Sequence, residues 1–448
     1  MGVPRPQALR YRALSLGFVR SAGFWLAAVV FAGVALRLAW TQWQDFFPLG
    51  GDGRWYLTVA RNVAEGRGYV IAFDEHGREL VGQGQPTAFW PPGYPFALAG
   101  AFKLFGPGMT AVELLNVAAE AASIVLIFLL GRRVAGTATG LLAAGLYALL
   151  PEPVLASQFA ISEFVFTALF LGALGLLVLA PWPQFRAAPP LLFGLLAGLA
   201  VLTRGEAIIL LPAAALFWVQ REGWRSAARA LGLASLGLVI AVAPWAARNA
   251  IVLDAFVPVS TNVGFNLRVG HAPGADGTFF WPDKIEEDDT NTQFEAAQPA
   301  QEVERNRIYT RRALGYMVTH PSDELALAGK KLSWLFRADA GLVDGLELMG
   351  SPVRPAPLAA ALPVAVIVSY YALLALATLA LPFWLRRRDP AATLLVSLVA
   401  LWALFHVGFF SLPRYHLPLL PLFAIAAAWL ITGLAGALRG RAEAAAAN

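Results

Sequence analysis

"AGFWLAAVVFAGVALRLAWTQ" (residues 22–42), followed shortly by "PLGGDGRWYLTVARNVAEGRGY" (residues 48–69), decides the fold class. The first stretch is apolar and long enough to cross a hydrocarbon core, which takes about 20 residues. The second places a carboxylate, Asp52, at the first turn after that run. From Gly53 to Glu65 the residues Trp55, Tyr56, Val59, Ala60 and Val63 share one side, while Arg54, Thr58, Arg61, Asn62 and Glu65 share the other. That spacing predicts a helix lying at the membrane surface and ended by Gly66. A second surface helix is expected after "FWPPGYP" (residues 89–95), running through Lys103 to Gly106. Its prolines suit a helix start and its aromatics suit the headgroup zone.

The rest of the chain repeats the first pattern. Of 448 residues, 58% are apolar and 14% charged, which marks a mainly α-helical, polytopic membrane protein rather than two or three soluble domains. About ten apolar runs are expected to form spans: residues 22–42, 112–130, 138–155, 164–181, 189–202, 207–219, 231–247, 358–385, 393–411 and 417–438. The two on either side of "TRGE" (residues 203–206) are short, so that pair is expected to tilt or dip as a hairpin. Although "AGVA" (residues 32–35) is rich in small residues, the first run is expected to remain as an anchor: it is long and no polar mature start follows.

Orientation follows from arginine. Arg5, Arg10, Arg12 and Arg20; Arg132 and Arg133; Arg186; Arg221, Arg225 and Arg229; Arg386 to Arg388; and Arg439 with Arg441 occupy alternate connections. With ten crossings they share one side, which the positive-inside rule makes the cytoplasm, along with both termini. The net charge of +5 is therefore accounted for at span ends and does not point to nucleic acid. There is no cysteine, which removes disulfides, thiolate metal sites and a thiol nucleophile.

Two long segments then face outward, residues 43–110 and 249–357. The organisation read from this is an N-terminal transmembrane module (1–248) containing the first outer loop (43–110), an outer-face periplasmic domain (249–357), C-terminal spans (358–438) and a disordered cytoplasmic tail (439–448). Within the second outer segment "GHAPGADGTFFWPDK" (residues 270–284) is turn-rich and aromatic, with Phe279, Phe280 and Trp281 suited to sugar rings or to a small core. "QEVERNRIYTRRALGYMVTHP" (residues 301–321) reads as an amphipathic helix, and a further helix follows with Ser322 or Asp323 as its N-cap.

Charged residues at span ends need a reason, because burying one at mid-helix costs roughly 2.5–3.5 kcal/mol. Glu163 opens the fourth span, Arg204 and Glu206 sit at the hairpin tip, and Arg248 and Arg414 end spans on the outer side, against the positive-inside trend. Structural alternatives exist for each: Asp52 as an N-cap, Glu163 as a cap near Ser162, Arg204 with Glu206 as a pair, the arginines as snorkelling side chains. Convergence of all of them on one face points instead to a site.

The series "GGDGRWYLTVARNVAEGRGY", "FWPPGYPFALAGAFKLFG", "QFAISEFVFTALFL", "LTRGEAIILLP", "APWAARNAIVLDAFVPVSTNVGFNLRVGHAPGADG" and "PRYHLPLLPLFAI" resembles the GT-C glycosyltransferases, from residue 22 to about residue 434. The branch it is most similar to is the dolichyl-phosphate-mannose-protein mannosyltransferase-like one, which also resembles the lipid A aminoarabinose transferase. The resemblance implies transfer of a monosaccharide from a polyprenyl-phosphate donor to a lipid, glycan or protein acceptor at the outer face of the bacterial cytoplasmic membrane. It implies Asp52 as catalytic base, Glu163 as a second acidic position and Arg248 near the donor phosphate. Tyr56 and Arg61 on the first surface helix are further substrate-binding candidates. Two departures stand out: Trp90 and Pro91 occupy the place of a lysine found in some members, and Gly53 follows Asp52 where a second acid is common. Arg204, Lys330 or Arg414 could take over the lysine's phosphate contact, and Glu206 joins them as a binding candidate.

The chemistry stands on its own terms. An acceptor hydroxyl must lose a proton, which one carboxylate can take, and the phosphate leaving group needs a cation rather than an acid. Single displacement with inversion follows. No cofactor is called for, and His76, His271, His320, His406 and His416 show no ligand spacing, although a divalent metal stays open. The competing class is a secondary transporter or lipid flippase; a membrane-anchored carbohydrate-binding protein is a third. Transporters hold their charges near the midplane, in repeated halves, and no convincing repeat is found here.

Overall fold

The computed structural model describes residues 7–43, 51–71, 84–179, 187–279, 299–348, 353–387 and 389–446. Seventeen α-helices and one two-stranded antiparallel ribbon make up these residues. Six stretches are long and apolar enough to cross a membrane. They are the Ala22–Trp43 part of α1 (Gln7–Trp43), α4 (Met109–Ala135), α10 (Trp224–Val252), α15 (Ala356–Arg387), α16 (Pro390–Val407) and the run from Pro413 through α17 (Leu420–Ala446). The other predicted spans are shorter helices: α5 (Thr137–Ala148), α7 (Glu163–Leu179), α8 (Ala188–Thr203) and α9 (Leu210–Glu222). The chain is a mainly α-helical polytopic membrane protein.

Several boundaries differ from the sequence reading. The third run breaks at Leu149, and α6 (Pro151–Ala156) starts afresh, because Pro151 cannot continue α5 but suits a first turn. The hairpin tip is a 3₁₀ turn, Gly205–Ile209. Toward the C-terminus the alanine-rich tail continues α17 to Ala446, alanine being the best helix former, so the expected disorder from residue 439 is not found there.

Helix α8 packs on α10 through small residues. A Cβ on Gly194 would collide with the Ala234 carbonyl oxygen, one on Gly237 with that of Leu191, and one on Gly198 would come within 2.6 Å of Ala241 Cβ. Such seams replace the hydrophobic effect where lipid competes for the same faces. Gly194→Val is expected to push the helices apart and lower stability by about 3 kcal/mol or more. Thermal unfolding in detergent reads this directly; an unchanged midpoint would mean that the seam yields.

An ionic knot also lies among the spans. Fully buried Arg37 of α1 bonds Glu120 of α4 through Nε (3.0 Å) and Nη2 (2.6 Å), and its Nη1 donates to the Gly33 and Ala148 carbonyls. Tyr147 of α5 donates to the other Glu120 oxygen at 2.7 Å. Every group has a partner, which is the condition for burying charge away from water. This pair joins three helices before the site is reached.

Helices α2 (Gly51–Ala64) and α3 (Gly93–Phe105) stand where the two surface helices were expected. Trp55, Tyr56, Val59 and Ala60 are buried as expected, but so are Thr58 and Asn62 from the side read as exposed. The reason is that α2 packs on both sides, in one apolar cluster with Phe89, Trp245 and Phe265 and in another with Tyr94, Leu98 and Phe102. Asn62 is satisfied by donating to the Val70 carbonyl and accepting from Arg67 Nε. The second outer segment supplies α11 (Val263–Gly270), α12 (Pro299–Thr319), α13 (Pro321–Leu335) and α14 (Leu342–Leu348). His320 is the residue before α13, so Ser322 and Asp323 lie within its first turn rather than capping it. Phe280 and Trp281 lie outside the described residues.

Candidate active site

Sequence places Asp52 just before a helix; the structure places it inside the first turn of α2, which starts at Gly51. Its Oδ2 accepts from Arg414 Nη2 at 2.5 Å, and it makes no capping bond among the described residues. Glu163, the first residue of α7, is almost fully buried and pairs with Arg204 Nη1 at 2.8 Å and with Arg414 Nε at 3.6 Å. Arg204 in turn bonds Glu206 Oε1 through Nη2 (2.7 Å) and Nε (3.1 Å) and donates to Ser162 Oγ. The Tyr415 ring supports both arginines from 5.2 and 5.7 Å. Five residues separated by up to 362 positions thus form one continuous chain, Asp52–Arg414–Glu163–Arg204–Glu206.

These side chains line a cavity of about 700 Å³, together with Tyr56, Trp90, Pro91, Asp339 and His406. Burial first, then the neighbouring carboxylates of Asp52 and Glu163, raises the Tyr56 pKa, so its hydroxyl stays a hydrogen-bond donor. Burial, the largest influence, works against ionisation of Glu206, but the charges of Arg204 and His406 and the hydrogen bonds it accepts together outweigh it and lower the pKa, keeping the carboxylate charged. The lining holds four carboxylates, from Asp52, Glu163, Glu206 and Asp339, against the guanidiniums of Arg204 and Arg414. Both arginines are engaged by carboxylates.

Arg248 is elsewhere. It lines a second cavity, also about 700 Å³ and mostly apolar, with Tyr69, Leu169, Leu199 and Trp245. Its Nη1 donates to the Thr87 carbonyl (2.8 Å) and Asn249 Oδ1 (3.0 Å), and its Nη2 to the Tyr69 carbonyl (2.9 Å). All three partners are neutral, so its charge stays uncompensated by a direct ion pair among the described residues. The two cavities meet at Thr203, separated by the strap Phe89–Trp90–Pro91–Pro92–Gly93. A Cβ on Gly93 would strike Thr203 Oγ1 and come within 2.9 Å of the Leu202 carbonyl, so only glycine lets the strap approach α8 this closely. Buried Glu302 of α12 pins the base of the strap, accepting from Thr87 Oγ1 (2.7 Å), the Ala88 amide (2.8 Å) and Thr261 Oγ1 (2.6 Å).

Arg61 and Lys330 do not line either cavity, and Lys330 is exposed on α13. The segment after α10 nevertheless reaches the site: Asn262, Phe265, Asn266 and Phe279 line the first cavity. A polar knot holds that segment to the end of α16. His271 Nδ1 lies 2.7 Å from Glu324 and its Nε2 lies 3.1 Å from both Lys331 Nζ and the Gly408 carbonyl, while Lys331 donates to Val407. Burial pushes the Lys331 ammonium down to about 8. Sequence reading missed Lys331, Glu302 and Asp339. Nothing in the composition around them sets them apart; only the fold buries Lys331 and Glu302 and half-buries Asp339 in the wall of the first cavity.

Residues 90–247 match the model of the dolichyl-phosphate-mannose-protein mannosyltransferase family. Among solved structures the chain is similar to the archaeal oligosaccharyltransferase AglB from Archaeoglobus fulgidus in complex with an inhibitory peptide and a dolichol-phosphate. Identity is 14%, covering 95% of this chain and 52% of that one, with a TM-score of 0.55. A second structure, of the Archaeoglobus fulgidus oligosaccharyltransferase tethered with an acceptor peptide, gives 16% identity, 92% and 49% coverage and a TM-score of 0.55. ArnT from Cupriavidus metallidurans bound to undecaprenyl phosphate gives 16% identity, 90% and 77% coverage and a TM-score of 0.44. The chain spans about half the length of the two oligosaccharyltransferases. No curated protein matches it. The chain shares the fold of the two oligosaccharyltransferases, and the family match falls inside the stretch that carries the resemblance drawn from its sequence.

Proposed function

We propose that the chain is a membrane glycosyltransferase that moves a monosaccharide from a polyprenyl-phosphate donor to a hydroxyl of a lipid, glycan or protein acceptor. The observation that carries this reading is Asp52, held in the cavity wall by one carboxylate oxygen while Oδ1 makes no bond among the described residues. That oxygen takes the acceptor's proton; the acceptor oxygen attacks the anomeric carbon as the sugar–phosphate bond breaks, and the bond electrons leave with the phosphate. One base and one displacement give inversion. Ten crossings would put this cavity on the outer face of a bacterial cytoplasmic membrane, with both termini inside. The reading draws on no metal and no cofactor.

The second cavity supports the donor half of the reading. Its apolar lining suits an isoprenoid chain, and Arg248 at its edge is the cation best free to meet a phosphate, with two of its five N–H groups unused among the described residues. Glu163, Glu206 and the two paired arginines hold Asp52 and the floor; Asn262, Asn266 and Phe279 give the outer segment a part in acceptor choice. The transporter reading is less favoured, because the charges of the cavity gather around Asp52, Glu163, Arg204, Glu206 and Arg414, and the one ion pair buried among the spans, Arg37–Glu120, has every group satisfied within the protein.

Arg248→Lys is expected to weaken polyprenyl-phosphate binding about tenfold and to slow single-turnover transfer as well, since a lysine cannot give bidentate contacts to a phosphate whose charge grows in the transition state. Donor titration and quenched-flow transfer in nanodiscs measure the two effects. Wild-type values for both would assign the phosphate to another cation.

The function as a whole is tested in cells. Deleting the gene should remove one monosaccharide from an envelope lipid, glycan or protein seen by mass spectrometry, and wild-type protein but not Asp52→Asn should restore it. An unchanged envelope sugar profile would contradict the reading.

A further inference from the structure

Asp339 lies between α13 and α14, yet it lines the same cavity as Asp52, Glu163 and Arg414. The other three carboxylates of that lining are each engaged by a guanidinium. Asp339 makes no hydrogen bond and no ion pair among the described residues. Four charged groups act on it: Glu152 of α6, His416 and Arg414 of the turn Pro413–Leu419, and Glu163 of α7. Behind it Glu152 and His416 are committed to each other, with Nε2 and Oε1 2.7 Å apart and both side chains buried.

We propose that Asp339 is a substrate-binding carboxylate that accepts hydrogen bonds from ring hydroxyls of the monosaccharide carried by the donor; this rests on the donor reading above. Asp339 is half-buried, and a partly desolvated carboxylate without a polar partner is disfavoured, a cost that a ligand bringing hydrogen-bond donors relieves. An ionised carboxylate is acceptor-only, so its ligand must bring donors. The donor's phosphate diester brings none at neutral pH and is repelled by the charge. Sugar hydroxyls bring several. Asp339 therefore discriminates the sugar-bearing lipid from the sugar-free product, and it alone of the four lining carboxylates has neither oxygen held by a guanidinium.

Burial first, and then Glu152, pushes the Asp339 carboxyl up to about 6. The charged form that binds sugar is present above that value and is lost as pH falls through it. The stability sign is the reverse. A folded pKa above the unfolded one favours the fold at low pH; this contribution is full below 3.8 and is lost as pH rises through about 6, so Asp339→Asn is expected to raise the melting midpoint at pH 7.5 and to raise it progressively less as pH falls toward 3.8.

The test compares two probes, polyprenyl phosphate and polyprenyl-phosphate mannose with its glucose and N-acetylglucosamine analogues, by native mass spectrometry of the full chain in nanodiscs. Asp339→Ala should lose about tenfold in affinity for whichever sugar-bearing lipid wild type binds best, and less than twofold for polyprenyl phosphate. With Asp339→Asn the acid limb of sugar-lipid binding near pH 6 should vanish. Equal losses for both lipids, no loss for either, or an unchanged acid limb would overturn the inference. Wild type that binds no polyprenyl phosphate of either kind would contradict the donor reading itself, and this inference with it; Asp339 alone fails when wild type prefers the sugar-bearing lipid and Asp339→Ala does too.

Discussion

Asp52→Asn is expected to cut sugar transfer by about 10²–10⁴ while leaving the donor bound and the protein folded. The amide keeps the shape of the carboxylate and can still accept from Arg414, but it cannot take a proton from the acceptor. A structural role makes the opposite forecast. If Asp52 only anchored Arg414 to α2, the neutral amide would weaken a partly exposed pair, a modest effect. Single-turnover transfer and donor affinity, measured on the same preparation, separate the two. Near-normal turnover with unchanged affinity would remove Asp52 from the chemistry.

The second large effect concerns the fold that carries the site. Glu120→Ala leaves the Arg37 guanidinium fully buried between α1, α4 and α5 with only the Gly33 and Ala148 carbonyls, and deprives Tyr147 of its acceptor. Breaking one partner of a buried pair typically costs about 3–5 kcal/mol. Loss of folded protein, or a melting midpoint lowered by many degrees, is expected. The double variant Arg37→Leu with Glu120→Leu removes both charges and should recover a large part of that loss. A single variant as stable as wild type, or a double variant less stable than either single one, would contradict the assignment of this pair as a joint that tolerates both charges or neither.

Spans and surface helices were legible because water and lipid impose periodicities that a sequence cannot hide. The alternation of Trp55, Tyr56, Val59 and Ala60 on α2 is one such record, and the arginines at span ends are another. Asp52, Glu163, Arg204, Glu206 and Arg414 could be singled out because charge at an apolar boundary is costly, and the structure brings all five together. Their pairing was not legible. Nothing local tells Asp52 that its partner lies 362 residues away, or Arg204 that it serves Glu163 and Glu206 together. Arg248 shows the limit from the other side: its position at a span end was readable, but its carbonyl partners, Thr87 and Tyr69, belong to a loop whose path only the fold sets. Thr58 and Asn62 were read as exposed for the same reason, since α2 is packed on both sides and Asn62 finds its partners at Arg67 and Val70, in a turn whose path only the fold sets. Arg37 and Glu120 sit inside apolar runs, where hydropathy averages them away.

Transfer by purified protein in liposomes loaded with radiolabelled polyprenyl-phosphate sugar bears most directly on the central claim. Label is expected to leave the polyprenyl phosphate and appear on a hydroxyl acceptor with the opposite anomeric configuration, and Asp52→Asn liposomes should retain it on the lipid. Movement of the intact labelled lipid between leaflets, equally fast with Asp52→Asn and with no sugar released, would contradict the claim and make the chain a transporter of the lipid.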